Sequence, residues 1–348
     1  MKHLWSIGIR SNAYKLFESY LSNRFLIVVA NGECSNKMSI HSGVPQGAIW
    51  SPLLFDIFVR KVPNRVKHAL SLFYADDLTL IREIETGKRE KTNSELEDDL
   101  ERLVGFGKEW LLEFEVLKTQ SLMITRKRNR EFPRIKMGDV MLEEEESLKV
   151  LGFIVDKRGN WAAHTTTVAA EARKRLGAIE RIKHYLDDQG IITAYKAFVR
   201  SKMEYGNIVY WGAADTHLDK LDKIQNAAKK LIKSHVKKDI PSLEDRRKAA
   251  AVGLTCKLLD GKGRGKLQEM KPMPQSKNIR RSRRISGSSH SFKFQNQSKP
   301  KSLEVFKRSF RGRIPEIWNN IKDRSLSNKS PTVEFQKIRK KIQRNIAS

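Results

Sequence analysis

Asp76 and Asp77 stand side by side in the stretch LFYADDLTLI, residues 72–81, where one apolar run ends and another begins. Carboxylates are seldom fully buried unless paired or metal-bound, and two close together oppose each other's ionisation. Two readings follow. Either the pair sits on a solvated hairpin tip, where adjacent aspartates are ordinary turn chemistry, or it gathers a cation. A strand–turn–strand hairpin with Asp76 at its tip would hold a carboxylate rigidly at a backbone bend. A hard ion such as Mg²⁺ asks for one or two such oxygens, with water and phosphate completing its octahedron.

A second stretch lies about twenty residues upstream. SGVPQGAIWSPLLF, residues 42–55, joins a glycine-flanked turn (Gly43, Pro45, Gln46, Gly47) to a helix. Glycine lets a backbone approach a phosphate or base closely, and an uncharged Gln46 can hydrogen-bond to either. Ser51 is placed as the N-cap, with Pro52 at the first helical position. By itself this is equally a helix-entry loop around a buried proline.

The elements that must position these residues read as α+β: a small antiparallel sheet with helices against it. Ala13 to Leu21 has helical spacing, and RFLIVVANGECSNKMSI reads as a strand, an Asn31-Gly32 turn and a return strand. Ala69 to Tyr74 and Leu78 to Ile81 are two strands around the aspartates, and residues 92–114 carry apolar side chains at helical period. Leu122 to Thr125, Ile135 to Met137 and Lys149 to Val155 read as strands. After Trp161 the pattern changes to three amphipathic helices, marked by Val168 to Ile182, Ile191 to Met203 and Leu218 to Leu231. The expected divisions are residues 1–160, residues 161–235, and a basic, partly disordered C-terminal region, 236–348, with a short helical element around Phe306 to Ile321.

Charge names a class of partner. The 348 residues carry 68 Lys and Arg against 40 Asp and Glu, a net charge of +28. That surface suits a polyanion, nucleic acid first. Between Lys277 and Arg313 there are twelve Lys or Arg and one acid, Glu304, densest at Arg280, Arg281, Arg283 and Arg284. Such a run reads as a solvated arm, and phosphate binding and nuclear import explain it equally well. No apolar run approaches the roughly 20 residues of a membrane span, which sets the membrane reading aside. Cys34 and Cys256 lack the paired ligands of a zinc site, and two distant cysteines suit a reducing, intracellular setting.

The two motifs, in this order, resemble those of the reverse transcriptases of non-long-terminal-repeat retrotransposons, of the jockey-like kind. GVPQGAIWSPLLF is similar to the family's template- and nucleotide-contacting loop, and FYADD to the metal-binding hairpin of the palm. WLLEFEVLKTQSLMI resembles the next palm segment, KVLGFIVDKRGNW the primer-grip hairpin, and RSFRGRIPEIWNNI a short segment these elements carry near the C-terminus. The resemblance implies a partial right-hand polymerase palm, a helical thumb and a basic tail. It implies RNA-directed DNA synthesis with two Mg²⁺ ions, an RNA template, a DNA primer and deoxynucleoside triphosphates, acting in the nucleus.

The implied roles are specific. Asp76 and Asp77 would be metal ligands and catalytic residues, and Lys118 would help protonate pyrophosphate. Gly43, Pro45, Gln46, Gly47 and Tyr74 would meet template and nucleotide, and Leu151 and Gly152 the primer. Lys174, Arg175, Lys183, Lys229 and Lys230 would hold duplex phosphates, each being equally a residue of a solvated helix face.

The departures matter too. A two-metal site needs a further aspartate, which the family places upstream of the Pro-Gln-Gly loop. Here Glu18 and Glu33 are the only acids before Asp56. The chain thus resembles the C-terminal part of a longer enzyme, without the third carboxylate, the sugar-discriminating residue, most of the fingers and the N-terminal endonuclease. An open sheet edge and no unaided polymerisation are expected, and a non-catalytic nucleic-acid-binding remnant is the alternative. Ala48, Trp50 and Glu115 differ from the family's usual residues, with Trp50 expected to pack against the palm.

Overall fold

The computed structural model describes residues 1–85, 87–112, 114–127, 131–236, 240–259 and 313–314. It divides into two compact units. One comprises residues 1–123 and 127–145; the other gathers 124–126 with the described residues from 146 onward. Each is a separate assembly of helices and two-stranded antiparallel sheets.

In the first unit, α1 (Lys2–Ser6) and α2 (Ser11–Leu21) lead into two nested hairpins: β1 (Arg24–Leu26) pairs with β4 (Met38–Ile40), and β2 (Val29–Ala30) with β3 (Glu33–Cys34). Then come α3 (Ser51–Val59), a 3₁₀ turn (Val62–Arg65), β5 (Leu70–Tyr74) and β6 (Asp77–Ile81). The long α4 (Arg89–Trp110) follows, with a 3₁₀ turn (Val116–Lys118) and the hairpin of β7 (Ile135–Met137) and β8 (Val140–Leu142).

Three small cores hold this unit. Leu4, Phe17 and Leu54 join α1, α2 and α3, with Val44 of the loop packed on them. Val59, Val62, Leu103 and Phe106 form the second, on which Phe55, Phe58, Phe73 and Leu78 pack. Leu100, Ile135, Met137 and Leu142 form the third, between α4 and the β7–β8 hairpin. Each buried Leu, Val or Phe contributes about 1.5–3 kcal/mol, so α4, with three such residues, ties the unit together.

Two local expectations are corrected here. Ser51 is the first residue of α3, not its cap; Trp50 occupies the cap position and makes no side-chain capping bond. The Ser51 hydroxyl instead donates to the Pro45 carbonyl, because the loop folds back over the helix start. Residues 122–125 form no strand: Ser121 makes a single bridge to Glu144, and the Thr125 N–H goes to the Lys157 carbonyl.

The second unit opens with the hairpin of β9 (Ser147–Val150) and β10 (Phe153–Asp156), turning at Leu151 and Gly152. Helix α5 (Ala162–Ile182) follows. Next is a continuous helical rod: α6 (Asp188–Ala194), a π-helical stretch (Tyr195–Arg200) and α7 (Ser201–Glu204). The last elements are α8 (Asp215–Val236) and α9 (Leu243–Leu259). The three expected amphipathic stripes meet in one core with Val168, Ala172, Tyr195, Val199, Leu221, Ala228, Trp211 and Val252. Helix α9 lies in the stretch read from sequence as basic and C-terminal. Of the last element expected there, only Arg313 and Ile314 fall among the described residues, and Ile314 is fully buried in this core. Among the described residues no helix is long and apolar enough to cross a membrane.

Candidate functional site

The β5–β6 hairpin pairs Leu70 with Ile81 through to Tyr74 with Asp77, leaving Ala75 and Asp76 as a two-residue turn. Ala75 takes φ 52°, the positive value that tight hairpin turns demand at this place. Asp76 therefore sits at the tip and Asp77 heads the return strand. Both carboxylates are exposed, and no hydrogen bond or ion pair among the described residues engages them. They remain free to ligate.

One face of the hairpin, through Phe73 and Leu78, packs on the α3–α4 core. The other shows Leu70, Leu72, Tyr74 and Ile81 to solvent, and neither strand pairs with a third among the described residues. The hairpin is anchored from behind. Asp99 of α4 is fully buried and accepts the backbone N–H of Lys67 at 2.6 Å, of His68 at 3.0 Å and of Ala69 at 2.8 Å. These are the residues that lead into β5, and a carboxylate satisfying three amides makes charge-assisted bonds.

His68, Asp98 and Asp99 offer a rival donor set, their ligand atoms within 4.8 Å of one another. Both carboxylates already have partners within the protein. Asp98 accepts from Arg102 at 2.9 Å and meets His68 Nε2 at 3.2 Å. The Arg102 bond, with His68 adding, holds the Asp98 carboxyl below the usual carboxylate range. Asp99 is committed to the amides.

The loop 42–50 is clamped on both sides. Arg24 donates to the carbonyls of Ser42 at 3.2 Å and Gly43 at 2.7 Å; Ser51 holds Pro45 and lies 3.3 Å from the Tyr20 hydroxyl. Gly43 and Gly47 have φ of 76° and 78°, which L-residues resist, and among the described residues nothing fills the space beside either. Gln46 is exposed between them. Trp50 packs edge-on against Phe17 of α2 at 5.6 Å, so its partner is that helix and not the hairpin. The helix leaving this loop and the hairpin carrying the aspartates rest on one core, through Phe55 and Phe58 from one and Phe73 and Leu78 from the other.

Lys118 ends the 3₁₀ turn with its side chain exposed, 4.0 Å from Glu115. No bond links it to Asp76, Asp77 or Gln46. Leu151 and Gly152 form the β9–β10 turn with φ of 47° and 86°. Of the basic residues on the helices, Lys174 and Lys230 are exposed and Lys183 and Lys229 half-buried. Arg175 is exposed but spends one N–H on the Phe198 carbonyl, at 2.9 Å, within the π-helical stretch. Arg280, Arg281, Arg283 and Arg284 lie outside the described residues.

Sequence reasoning missed the supporting residues. Asp99, Arg24 and Tyr20 gave no motif, because a buried anchor is defined by what folds onto it. His164 is another: it is 2% exposed, its Nδ1 accepts the Ile154 N–H at 3.3 Å, and its Nε2 has no partner among the described residues. Burial among Phe153, Trp161 and Tyr210, with the Lys202 charge adding, pushes its pKa down.

Comparison with known proteins finds a family and several relatives. Residues 1–155 match the reverse transcriptase (RNA-dependent DNA polymerase) family. A probable RNA-directed DNA polymerase from transposon X-element of Drosophila melanogaster is 24% identical over 253 residues, 66% of this chain and 26% of that protein. The RNA-directed DNA polymerase from mobile element jockey of Drosophila funebris is 28% identical over 224 residues, 61% of this chain and 24% of its own. A probable RNA-directed DNA polymerase from transposon BS of Drosophila melanogaster is 26% identical over 252 residues, 66% and 27% of the two chains. The chain spans about a quarter of the length of these curated relatives. Residues 1–155 are thus similar to the reverse transcriptase family, and the relatives matched are RNA-directed DNA polymerases of transposons and mobile elements.

Proposed function

We propose that this chain is part of an RNA-directed DNA polymerase of a jockey-like retrotransposon, catalysing nucleotidyl transfer onto a DNA primer paired with an RNA template. The observation that carries the reading is the unengaged Asp76–Asp77 pair at a tight turn, on the same core as the helix leaving the Gly43–Gly47 loop. Exposed carboxylate oxygens with no partner fit a hard divalent cation. Asp76 and Asp77 would hold Mg²⁺, which when bound lowers the pKa of a primer hydroxyl and steadies departing pyrophosphate.

The chain's own residues supply the rest. Gln46 and the open backbone of Gly43, Pro45 and Gly47 position template and incoming nucleotide, with Tyr74 alongside. Lys118, exposed on a short turn, delivers a proton to the leaving group. Residues 1–160 act as the fingers and palm, the helices of 161–235 as a thumb. Lys174, Arg175, Lys183, Lys229 and Lys230 neutralise duplex phosphates, a grip blind to sequence. The Leu151–Gly152 turn meets the primer.

Two ions roughly 4 Å apart need more counter-charge than this pair supplies. No aspartate precedes Asp56 in these residues, which supports a second reading of this stretch alone: nucleic-acid binding without catalysis. Purified 348-residue protein is tested on a DNA primer annealed to RNA. The expected result is salt-sensitive binding with no extension; magnesium-dependent incorporation would overturn the incompleteness, and absent binding would overturn the assignment.

A further inference from the structure

The β9–β10 turn is fastened at its tip by a residue that no motif predicts. The Tyr205 hydroxyl donates to the Leu151 carbonyl at 3.0 Å, and its ring stacks on Phe153 at 5.3 Å with the planes 18° apart. Both neighbours of this contact are glycines that close approach demands. A Cβ on Gly152 would lie 3.3 Å from the Tyr205 ring, and one on Gly206 only 2.1 Å from the Phe153 ring. Leu151 holds a left-handed φ of 47°, a conformation that persists only where surroundings impose it. Lower in the hairpin, the Ile154 N–H donates to buried His164. The turn is thus tied to the end of α7 at its tip and to α5 at its stem.

We propose that Tyr205 is a positioning residue: it fixes the orientation of the Leu151–Gly152 turn, so that the turn meets a primer terminus in a geometry set by the helices. The inference rests on the reading of that turn as a primer contact. Tyr205 does not itself touch the primer; its hydroxyl is spent on Leu151, and loss of that one bond frees the tip to sample other orientations.

The test uses the full chain, with fluorescence anisotropy on two RNA–DNA duplexes, one with a recessed DNA 3′ end and one blunt. Hydrogen-exchange mass spectrometry of the peptide around residues 148–155 reads the turn directly. Tyr205→Phe removes the hydroxyl and keeps the ring. Its preference for the recessed end should fall roughly threefold to tenfold, the change one hydrogen bond supplies, while blunt-duplex affinity and helical circular dichroism stay unchanged. Exchange around Gly152 should quicken. Gly206→Ala, which displaces Phe153, should act in the same direction. An intact preference in Tyr205→Phe would overturn the inference, as would a lost preference with unaltered exchange, which would make Tyr205 a direct contact. No preference in the unaltered protein would instead sink the reading of the turn itself, and the inference with it.

Discussion

The Asp99 carboxylate and the Ala69 amide meet at 2.8 Å, one residue before β5, the strand that leads to the turn carrying Asp76. This bond fixes where the hairpin starts. The same carboxylate also takes the amides of Lys67 and His68, so the entry to β5 is held by a buried charge on α4. The Asp76 and Asp77 side chains at the hairpin tip are exposed, and the Asp99 carboxylate that braces the hairpin is completely enclosed.

Asp99→Ala should cost about 3–5 kcal/mol, because it leaves three amides without their charged acceptor in a buried place. Urea unfolding followed by Trp110 fluorescence reads it. Asp99→Asn keeps one acceptor oxygen and should lose about half as much. A change under about 1 kcal/mol in Asp99→Ala would show that the amides find other partners.

His164 makes the second unit sensitive to acid. Its folded pKa lies below that of an unfolded histidine, through burial and then the Lys202 charge. As pH falls below about 6.5, the unfolded chain takes up the proton first. Stability is therefore full above that pH, declines by at most about 1.4 kcal/mol per pH unit, and levels off below the folded value. Thermal melts between neutral and acid pH should show this slope, and His164→Gln should flatten it while lowering stability at neutral pH through loss of the Ile154 bond.

Much of this was legible beforehand. The Asp76 tip followed from an apolar–Asp–Asp–apolar pattern, and the hairpin register placed it as expected. The helical stripes around Val168, Val199 and Leu221 are local periodicities, and most of their residues are buried, Ile182 and Phe198 being exposed instead. What stayed hidden depends on contacts between distant residues. Ser51 is a good capping type in a good place, yet the Pro45 carbonyl claimed its hydroxyl once the loop folded back. Residues 122–125 have strand-forming types but find no neighbouring strand beyond one bridge. Helix α9 was obscured by its lysines and arginines, and buried Arg247, paired with Asp222 at 3.4 Å, explains why so basic a segment still packs.

The helical unit should bind nucleic acid chiefly through charge. Lys174→Ala should weaken binding of any duplex by a similar factor and reduce the salt slope by about one. A loss confined to one sequence would contradict a phosphate contact. Arg175→Ala should act differently, since it also removes the Phe198 bond across to the π-helical stretch: a melting temperature lowered along with the affinity is the expected pair.

The most direct measurement is paramagnetic broadening of backbone amide signals by Mn²⁺ in the full chain, a stand-in for magnesium. The expected result is broadening centred on Ala75, Asp76 and Asp77, abolished in Asp76→Asn and undisturbed in His68→Gln. Broadening centred instead on His68 and Asp98, or none near the hairpin tip at millimolar metal, would contradict the account.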